Sequence, residues 1–353
     1  MKKFFKKVSP TSFYILLSFL YSFAVRLRLL LYRVGILRSR KVNGVFVVSV
    51  GNLTVGGTGK TPVTIMLARM AAATDKNAAV VSRGYGRRSN DPVQIVSSKT
   101  EILSSYPDAS DEAALCAHEL KGIPMICAPK RIDGIKAARD MFKADFVILD
   151  DAFSHLPAHR DVNLLLVDAM DIFGDGFMLP AGRMREPLKS AARADAVIIT
   201  RANYATSNII EIEKLINGVA GKEIPVFLCN IVTDSLIDPD GASRPSDFIK
   251  GKIVVLLSAI ASPGQFEETV RGLGADVAMH YAFDDHHNFS EEEIKTITDK
   301  AGEETILLTT QKDFIKLPLV CKNRFYTVKI AAKIEKKDIE RFKNLFTKQK
   351  PKS

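Results

Sequence analysis

A glycine-rich segment between an apolar run and an amphipathic pattern restricts the fold of this chain more than any other feature. The segment, residues 51–62, reads GNLTVGGTGKTP and joins the β-rich run 45–50 to a helical pattern over 62–73. Glycines allow several backbone N–H groups to point into one concavity, and the start of a helix adds partial positive charge. The order of strand, loop, Lys-Thr and helix therefore predicts a phosphate-binding loop.

Nucleotide binding by this loop depends on two polar residues at the start of the helix. Lys60 would reach the β- and γ-phosphates of ATP, and the hydroxyl of Thr61 would hold Mg²⁺. The segment departs from the common G-x-x-x-x-G-K-[ST] pattern at its first position, where Thr54 replaces glycine. The predicted nucleotide contacts are Thr54, Val55, Gly56, Gly57, Thr58, Gly59, Lys60 and Thr61.

Strand-like runs alternate with helical patterns from residue 45 onward, which is typical of a wound α/β sheet. Several runs are continuously apolar, as expected for buried parallel strands. We therefore predict an α/β fold with a P-loop NTPase-like wound parallel sheet, a second, smaller α/β domain and an N-terminal membrane-associated helix. The predicted units are residues 1–41, 42–222 and 223–353. The predicted strands are 45–50, 78–82, 124–128, 146–149, 164–167, 196–200, 226–228, 253–257, 275–279, 306–309 and 325–328, and the predicted helices are 62–73, 111–121, 131–143, 187–194, 263–272, 290–301 and 335–347.

The basic character of the chain is concentrated at its N-terminus. Of the 50 Lys and Arg residues, ten lie in residues 1–41, which contain no Asp or Glu, so residues 42–353 carry 40 basic and 40 acidic side chains. A protein that binds nucleic acid needs a basic surface that follows the phosphate backbone. The formally neutral remainder argues against this class, and we expect no nucleic acid partner.

An uncharged apolar stretch lies within the basic N-terminus. Residues 12–25 carry no charge and would span about 21 Å as a helix, which is short of the hydrocarbon core of about 30 Å. Both flanks are basic, which favours a helix that lies at an anionic membrane surface over a complete span. A secretory signal is the alternative, but no small-residue cleavage site follows, and a site for ATP belongs in the cytoplasm.

Three carboxylates follow apolar runs in the first predicted domain. Asp150 and Asp151 end the run 146–149, and Asp168 ends the run 164–167. A carboxylate at the tip of a buried strand beside a phosphate loop is a usual contact for Mg²⁺. The phosphate loop therefore favours a metal role for Asp150 and Asp151 over a solvated strand end, and makes Asp168 a second candidate.

Three further segments are candidates for ligand binding or catalysis, but each also has a purely structural explanation. Residues 82–88 combine glycines, an aromatic side chain and three cations, which suits an anionic or sugar-containing ligand as well as a charged turn. Residues 284–287 read DDHH, in which one histidine held by a carboxylate would serve as a general base, with an exposed polar turn as the alternative. Asp111 and Glu112 begin a predicted helix, where acidic residues also offset the helix dipole.

Seven motifs occur in a fixed order along the chain. They are SVGNLTVGGTGKTP from Ser49, VSRGYGR, the pair Asp111-Glu112, LDDAFSH, LPAGRMREP, F-x-D-H ending at His286 and T-x-K-D ending at Asp313. This ordered set resembles the tetraacyldisaccharide 4′-kinase family, the lipid A 4′-kinases of Gram-negative bacteria, over nearly the whole length. The resemblance implies ATP- and Mg²⁺-dependent phosphorylation of the 4′-hydroxyl of a tetraacylated glucosamine disaccharide 1-phosphate. It also implies an N-terminal anchor on the cytoplasmic face of the inner membrane.

The resemblance assigns roles to residues by matching motifs. We hypothesise that Asp111, paired with His286 from the other domain, accepts the proton of the sugar hydroxyl while Lys60 offsets phosphate charge. The implied catalytic residues are Asp111, His286 and Lys60, the implied metal ligands are Thr61, Asp150, Asp151 and Glu186, and the implied substrate contacts are Arg83, Tyr85, Arg131 and His155.

The chain departs from the family pattern at several positions. The family's G-D-E-P reads Ser110-Asp111-Glu112-Ala113, its D-D-G-F-Q-H has Ala152 and Ser154, its L-P-A-G-P ends in Arg183, and its T-E-K-D has Gln311. Every charged chemical group remains, so we expect an active kinase. Two alternatives stay open: a membrane-associated P-loop ATPase switch that acts on a protein partner, and a nucleotide-binding protein without catalysis. The sequence identifies no protein partner.

Overall fold

The computed structural model describes residues 12–346 of the chain. The first eleven residues of the predicted anchor and the end of the predicted C-terminal helix lie outside the described residues. The strands are β1 Phe46–Gly51, β2 Ala78–Ser82, β3 Gln94–Ser97, β4 Met125–Cys127, β5 Phe146–Leu149, β6 Val162–Asp168, β7 Ala196–Thr200, β8 Val226–Ile237, β9 Ser243–Arg244, β10 Ile253–Ser258, β11 Asp276–Ala282, β12 Ile306–Thr310 and β13 Phe325–Ile334. The α-helices are α1 Ser12–Arg33, α2 Lys60–Ala72, α3 Asp111–Glu119, α4 Arg131–Phe142, α5 Ile209–Ala220, α6 Pro263–Gly272, α7 Glu291–Ala301, α8 Gln311–Lys316 and α9 Ile339–Lys343.

One sheet runs through both halves of the described chain, in the order β11-β10-β12-β13-β8-β7-β6-β1-β5-β2-β4-β3 with β9 paired to β8. Strand β1 lies between β5 and β6 and is parallel to both. The predicted α/β class with a parallel core is therefore confirmed. The predicted division near residue 222 falls just before β8 and stays a prediction.

The carboxyl ends of the parallel strands in the first half meet at one edge of the sheet, which is where ligands bind in open α/β folds. The glycine-rich loop follows β1, Arg83 follows β2, Asp150 follows β5, and Arg201 follows β7. Each strand is a run of buried residues, so the chain emerges from the core at a defined point and presents its next polar residue there.

The two halves are joined by a long antiparallel ribbon of β8 and β13. Strand β7 is parallel to β8 and its pairing ends at Cys229, while β12 is parallel to β13 and its pairing ends at Val328. Within the ribbon, Cys229 lies opposite Ile334 and Val328 lies opposite Leu236. The carboxyl ends of β7 and β12 therefore approach the middle of the ribbon from opposite directions. This geometry forms a cleft above residues 231–233.

Several elements differ from the sequence-based expectation. Strands β8 and β13 are much longer than predicted, because most residues of their ribbon portions are only partly buried or exposed and these portions lack the continuous apolar run of a buried strand. The predicted helix over 187–194 is a 3₁₀-helix, Leu188–Arg193, and the predicted helix over 335–347 contains only one short α-helical stretch, α9. Elements β3, β9, α5 and α8 were not predicted.

Helix α9 packs on the first half of the molecule. Phe342 of α9 is fully buried, and its ring centroid lies 5.0 Å from that of Phe227 at the start of β8. Phe346 then contacts Phe146 of β5, with ring centroids 6.1 Å apart. The chain therefore returns to the core around β1 and β5 after it has completed the second half of the sheet.

Helix α1 attaches to the rest of the chain by a few polar contacts and exposes most of its apolar side chains. Ser18 Oγ donates to the carbonyl of Met178 at 2.8 Å, and Tyr21 Oη donates to that of Arg185 at 3.0 Å. The exposed large apolar side chains are those of Phe13, Tyr14, Leu16, Phe19, Leu20, Phe23, Leu27 and Leu30. The segment Phe13–Arg33, of mean hydropathy 1.6, is long and apolar enough to cross a membrane. The predicted N-terminal apolar helix is therefore present, and its shallow insertion stays a prediction.

Candidate active site

The glycine-rich loop has the geometry of a phosphate cradle. Gly59 adopts a left-handed conformation, with φ 76°, at the N-cap of α2, and Lys60 begins the helix. A side chain would strain the backbone there, so glycine suits the position. Four loop carbonyls accept hydrogen bonds from surrounding donors: Val55 from Arg183 (2.9 Å), Gly56 from Lys60 (3.2 Å), Gly57 from Arg201 (3.2 Å) and Thr58 from the Thr200 hydroxyl (3.0 Å). These bonds hold the carbonyls and leave the start of α2 directed at the cleft.

The cleft has a volume of about 1250 Å³ and receives residues from both halves of the sheet. On one side lie the phosphate loop and the carboxyl ends of β2 and β5, and on the other lie residues 260–262 and 310–312. Tyr21, Val25 and Arg28 of α1 also line it. Of the predicted site residues, Asp111 and the second metal candidate Asp168 do not line the cleft, although Ser110 and Glu112, the neighbours of Asp111, do. The structure therefore brings the predicted residues together around one space.

Asp150 and Asp151 differ sharply in their surroundings. Asp150 is 2 % exposed and accepts a hydrogen bond of 2.8 Å from the hydroxyl of Thr64, and burial raises its pKa. Asp151 binds the guanidinium of Arg185 through two contacts of 2.7 and 2.9 Å, and Lys60 Nζ lies 4.0 Å away. Burial opposes ionisation of Asp151, but Lys60 and Arg185 outweigh it and hold its pKa below the usual value. Asp151 is therefore the firmly ionised member of the pair.

Glu186 and Asp168 are held by arginines in the structure. Arg193 donates to Glu186 Oε2 at 2.7 Å, and Glu186 Oε1 is buried with no hydrogen-bond partner in residues 12–346. Arg201 Nε donates to Asp168 at 2.8 Å, and Asp168 does not line the cleft. Within that same range, no three acidic, His or Cys side chains form a cluster that could hold a metal ion by themselves. The protein would thus supply only part of the coordination shell of a metal.

Asp111 and His286 meet across the two halves of the sheet. His286 Nδ1 lies 2.8 Å from Asp111 Oδ2, and Lys312 Nζ lies 3.6 Å from the same oxygen. Burial raises the pKa of Asp111, but the hydrogen bond from His286 and the charge of Lys312 reverse the effect and lower it to about 2. In return, the hydrogen bond to Asp111 raises the pKa of His286. The pair is therefore a carboxylate and an imidazole that favours its protonated form.

The backbone at Asp111 tolerates the departure from the family's G-D-E-P. Ser110 is the N-cap of α3, and its hydroxyl accepts a hydrogen bond of 3.3 Å from the N–H of Ala113. Serine is among the preferred N-cap residues because its oxygen satisfies one of the free N–H groups of the first turn. Asp111 is then the first helical residue, with its carboxylate directed at His286.

The predicted substrate contacts form a cationic wall of the cleft. Arg131 is buried, and its Nη2 donates to the carbonyl of Asp150 at 3.3 Å. Burial together with the nearby guanidinium groups of Arg131 and Arg160 lowers the pKa of His155 to about 4, so its imidazole is neutral at pH 7. Tyr85 is exposed, and its ring centroid lies 6.4 Å from that of His286. This wall combines cations, a neutral imidazole and an aromatic ring.

Sequence reasoning missed several residues that line the cleft. Arg185, which holds Asp151, and Lys312, which contacts Asp111, both lie within the quoted motifs LPAGRMREP and T-x-K-D. Their charge was the available signal, but nothing in the sequence indicated which carboxylate each would meet. Arg201 was also missed; it contacts Asp168, the carbonyl of Gly57 and the amide oxygen of Gln265.

Comparison with known proteins matches the chain to one family over most of its length. The family model of tetraacyldisaccharide-1-P 4′-kinase (LpxK) matches residues 11–348. The tetraacyldisaccharide 4′-kinase of Geobacter metallireducens is 36% identical over 303 residues, covering 85% of this chain and 87% of that protein. That of Desulfatibacillum aliphaticivorans is 37% identical over 313 residues, covering 86% and 82%.

A solved structure extends the similarity to the fold. The crystal structure of LpxK from Aquifex aeolicus in complex with ATP superposes with a TM-score of 0.77 and 33% sequence identity, over 94% of this chain and 96% of that one. By sequence and fold, this chain belongs to the tetraacyldisaccharide-1-P 4′-kinase family.

Proposed function

We propose that this chain transfers the γ-phosphate of ATP to the 4′-hydroxyl of a tetraacylated glucosamine disaccharide 1-phosphate, as in lipid A biosynthesis. The observation that carries the proposal is the hydrogen bond between Asp111 and His286 beside the cleft that contains the phosphate loop. Phosphoryl transfer requires positioning and charge neutralisation more than covalent chemistry by the protein. A carboxylate beside the cleft that contains the phosphate loop supplies the first requirement, and the surrounding cations supply the second.

Asp111 orients the attacking hydroxyl and receives its proton. A carboxylate with a pKa near 2 is ionised throughout the physiological range and is always available as a hydrogen-bond acceptor. Because the transition state of phosphoryl transfer is loose, the proton leaves late and the carboxylate acts mainly by fixing the direction of attack. His286 holds the carboxylate in that orientation through its Nδ1.

Lys60 and the backbone amides at the start of α2 neutralise the phosphates. In this structure Lys60 Nζ lies within 3.2 Å of the carbonyl of Gly56 and 4.0 Å of Asp151, between the loop and the acidic pair. A fixed ammonium group in a partly dry cleft stabilises negative charge on the β- and γ-oxygens without reorganising during the reaction.

The donor set fits Mg²⁺. Thr61, Asp150, Asp151 and Glu186 offer the hard oxygen ligands that Mg²⁺ prefers, and the buried Oε1 of Glu186 is left without a partner in the described part of the chain. Mg²⁺ typically takes one or two carboxylates and completes its shell with water and phosphate oxygens, which suits a site without a three-acid cluster. When bound by these residues, the ion would offset the negative charge of the phosphates.

The cationic wall suits a phosphorylated sugar, and its neighbour α1 suits acyl chains. Arg83, Tyr85, Arg131 and His155 are the proposed substrate contacts. Arg28 of α1 lines the same cleft and donates to the carbonyl of Ser154 at 3.1 Å, which joins the apolar helix to this wall. A lipid could therefore present its sugar to the cleft while its chains follow the exposed face of α1.

The exposed face of α1 would bind an anionic membrane surface, on the cytoplasmic face of the bacterial inner membrane. Phe19 and Phe23 are 70% and 68% exposed. Burial of one such side chain contributes about 1.5–3 kcal/mol, so the double variant Phe19→Ser/Phe23→Ser should bind anionic vesicles at least about 10²-fold more weakly. The matched control is Leu319→Ser/Val320→Ser, which removes side chains that are 85% and 69% exposed in the second half. Equal vesicle binding by both variants would contradict the membrane role of α1.

The catalytic proposal is tested by incubating the purified chain and Mg²⁺ with γ-labelled ATP, with and without the lipid disaccharide. Transfer of label to the lipid supports the kinase. Release of labelled phosphate that is independent of lipid would support the ATPase switch, and binding of ATP without either product would support a non-catalytic protein. Either of the last two results would overturn the proposed activity.

A further inference from the structure

A completely buried ion pair lies behind the cleft in the second half of the molecule. Lys316 Nζ lies 2.9 Å from Asp313 Oδ1, and the two side chains are 1% and 0% exposed. Neither residue lines the cleft. Burying an ion pair removes the hydration of both charges. The attraction between the charges offsets this cost only when further hydrogen bonds stabilise them.

Both members of the pair bind the backbone of the same residue, Ala259. Asp313 Oδ2 accepts the N–H of Ala259 at 3.0 Å and the hydroxyl of Thr310 at 2.7 Å. Lys316 Nζ donates to the carbonyl of Ala259 at 3.4 Å. Ala259 is fully buried and directly follows β10, so the pair fixes the point at which this strand leaves the sheet.

The carbonyl of Ala259 also receives the backbone N–H of His286, at 3.3 Å. His286 has a positive φ of 65°, a conformation that costs energy for a residue with a side chain and persists where the surroundings enforce it. The imidazole of His286 then reaches Asp111. A continuous set of contacts therefore runs from the buried pair through Ala259 to His286 and Asp111.

We propose that the Asp313–Lys316 pair is a positioning element for His286, which it holds in its left-handed conformation through the backbone of Ala259. The inference rests on the proposed role of the Asp111–His286 pair. It assigns Asp313 and Lys316 to the orientation of the catalytic pair, at a distance from the reacting atoms. A pair that served only the stability of the second half would not influence His286 specifically.

The test uses the double variant Asp313→Asn/Lys316→Met, which removes both charges at nearly constant volume. The single variant Lys316→Met would leave a buried carboxylate without its partner and should be strongly destabilised, so the neutral double variant is the informative one. We expect its kcat to fall about 10- to 100-fold, while the Kd for ATP stays unchanged. We also expect the hydrogen-bonded Nδ1 proton of His286 to disappear from its NMR spectrum.

A second arm combines the double variant with His286→Ala. If the pair acts through His286, the combined protein has the kcat of His286→Ala alone, because the interaction to be lost is already absent. Multiplication of the two effects would overturn the inference, as would an unchanged His286 signal in the double variant. A lost His286 signal with unchanged kcat would support the positioning role and overturn the proposed catalytic role of His286.

The matched control removes an ion pair of the same half that contacts neither Ala259 nor residues 284–287. Arg271 and Glu267 of α6 lie 2.9 Å apart and are partly exposed. The variant Glu267→Gln/Arg271→Met should retain both kcat and the His286 signal. A similar loss in this variant would mean that any charge removal in the second half has the effect, and would overturn the inference.

Discussion

The phosphate loop and the Asp111–His286 pair are the two ends of the proposed site, and they are held together by contacts of different range along the chain. At the phosphate end, Lys60 contacts Gly56 and Asn52, which are four and eight residues away in the chain. At the other, Asp111 and His286 are separated by 175 positions and meet only because the two halves of the sheet are brought together by the fold. A local motif is visible in the sequence, whereas a contact of this separation depends on the complete topology.

The two ends also differ in what supports them. The carbonyls of the phosphate loop are held by donors that belong to the first half, among them Arg183, Arg201 and Thr200. The Asp111 end is held by contacts between halves, namely Lys312 with Asp111, Tyr106 with Asn288, and Gln311 with Glu119. Substitutions at the first end should therefore affect phosphate chemistry, and those at the second should also affect the junction of the halves.

The largest effect is expected at the phosphate end. Lys60→Ala removes the ammonium group that faces the phosphates, and turnover should fall about 10³-fold, the scale of losing one preorganised charge stabiliser. Initial rates of labelled-phosphate transfer would measure it. Lys136→Ala, at an exposed position of α4, is the matched control and should keep normal turnover. Activity of Lys60→Ala within tenfold of the parent would remove Lys60 from the chemistry.

The next largest loss of activity is expected at the Asp111–His286 pair. Asp111→Asn keeps the shape but removes the charge that orients the hydroxyl, and kcat should fall about 10²-fold or more. The Kd for ATP, measured by calorimetry, should stay within a factor of about two, because the phosphate loop is untouched. Asp108→Asn, at an exposed position three residues earlier, controls for charge removal near α3. Weakened ATP binding in Asp111→Asn would show that the two ends are not separable.

A smaller effect is expected in the pH dependence of stability. The pKa of His286 is raised by Asp111, so His286 stabilises the fold fully below its unfolded pKa, about 6.5, and loses this contribution as the pH rises through its higher folded pKa. The pKa of Asp111 is lowered to about 2, so its contribution is present at neutral pH and is lost only as the pH falls from about 3.8 toward 2.

Thermal unfolding would detect this difference. His286→Gln should lower the melting temperature more at pH 6 than at pH 9, because only the protonated imidazole gains from the Asp111 charge. In an Asp111→Asn background, the same substitution should have an effect that varies much less with pH, because the largest cause of the raised pKa of His286 is removed. A pH-independent effect in the parent protein would contradict the ion pair between Asp111 and His286.

The smallest effect concerns a departure from the family pattern. Gln311 donates to Glu119 at 2.7 Å and accepts the N–H of Ile330 at 3.1 Å, where the family's T-E-K-D has Glu. Gln311→Glu replaces the donor by a second carboxylate, and the free energy of unfolding should fall by about 1 kcal/mol, the usual contribution of one hydrogen bond. Arg69 and Lys329 also bind Glu119 and limit the repulsion. Urea denaturation would measure the change, and an unchanged or higher midpoint would show that this contact does not join the halves.

Strands that are buried on both faces were predicted well. The bounds of β2, β5 and β7 agree with the apolar runs, because parallel strands in the interior require continuous hydrophobic sequence. Helix α5 was missed, because its first residues are β-branched isoleucines that also suit a strand. The ribbon portions of β8 and β13 were missed because most of their residues are only partly buried or exposed, and polar residues such as Asn230, Asp234 and Lys329 interrupt the apolar run.

The phosphate loop, its strand and its helix follow from neighbouring residues alone, because backbone conformation, glycine placement and the helix start are local properties. The acidic residues after β5 and the apolar N-terminal helix could also be predicted from the sequence, because each depends on neighbouring residues. The sequence could not show that Lys312 lies beside Asp111, that Arg185 holds Asp151, or that a buried pair at α8 supports His286. These contacts arise where the β8–β13 ribbon turns the carboxyl ends of two sets of strands toward each other, and only the tertiary structure decides which side chains then meet.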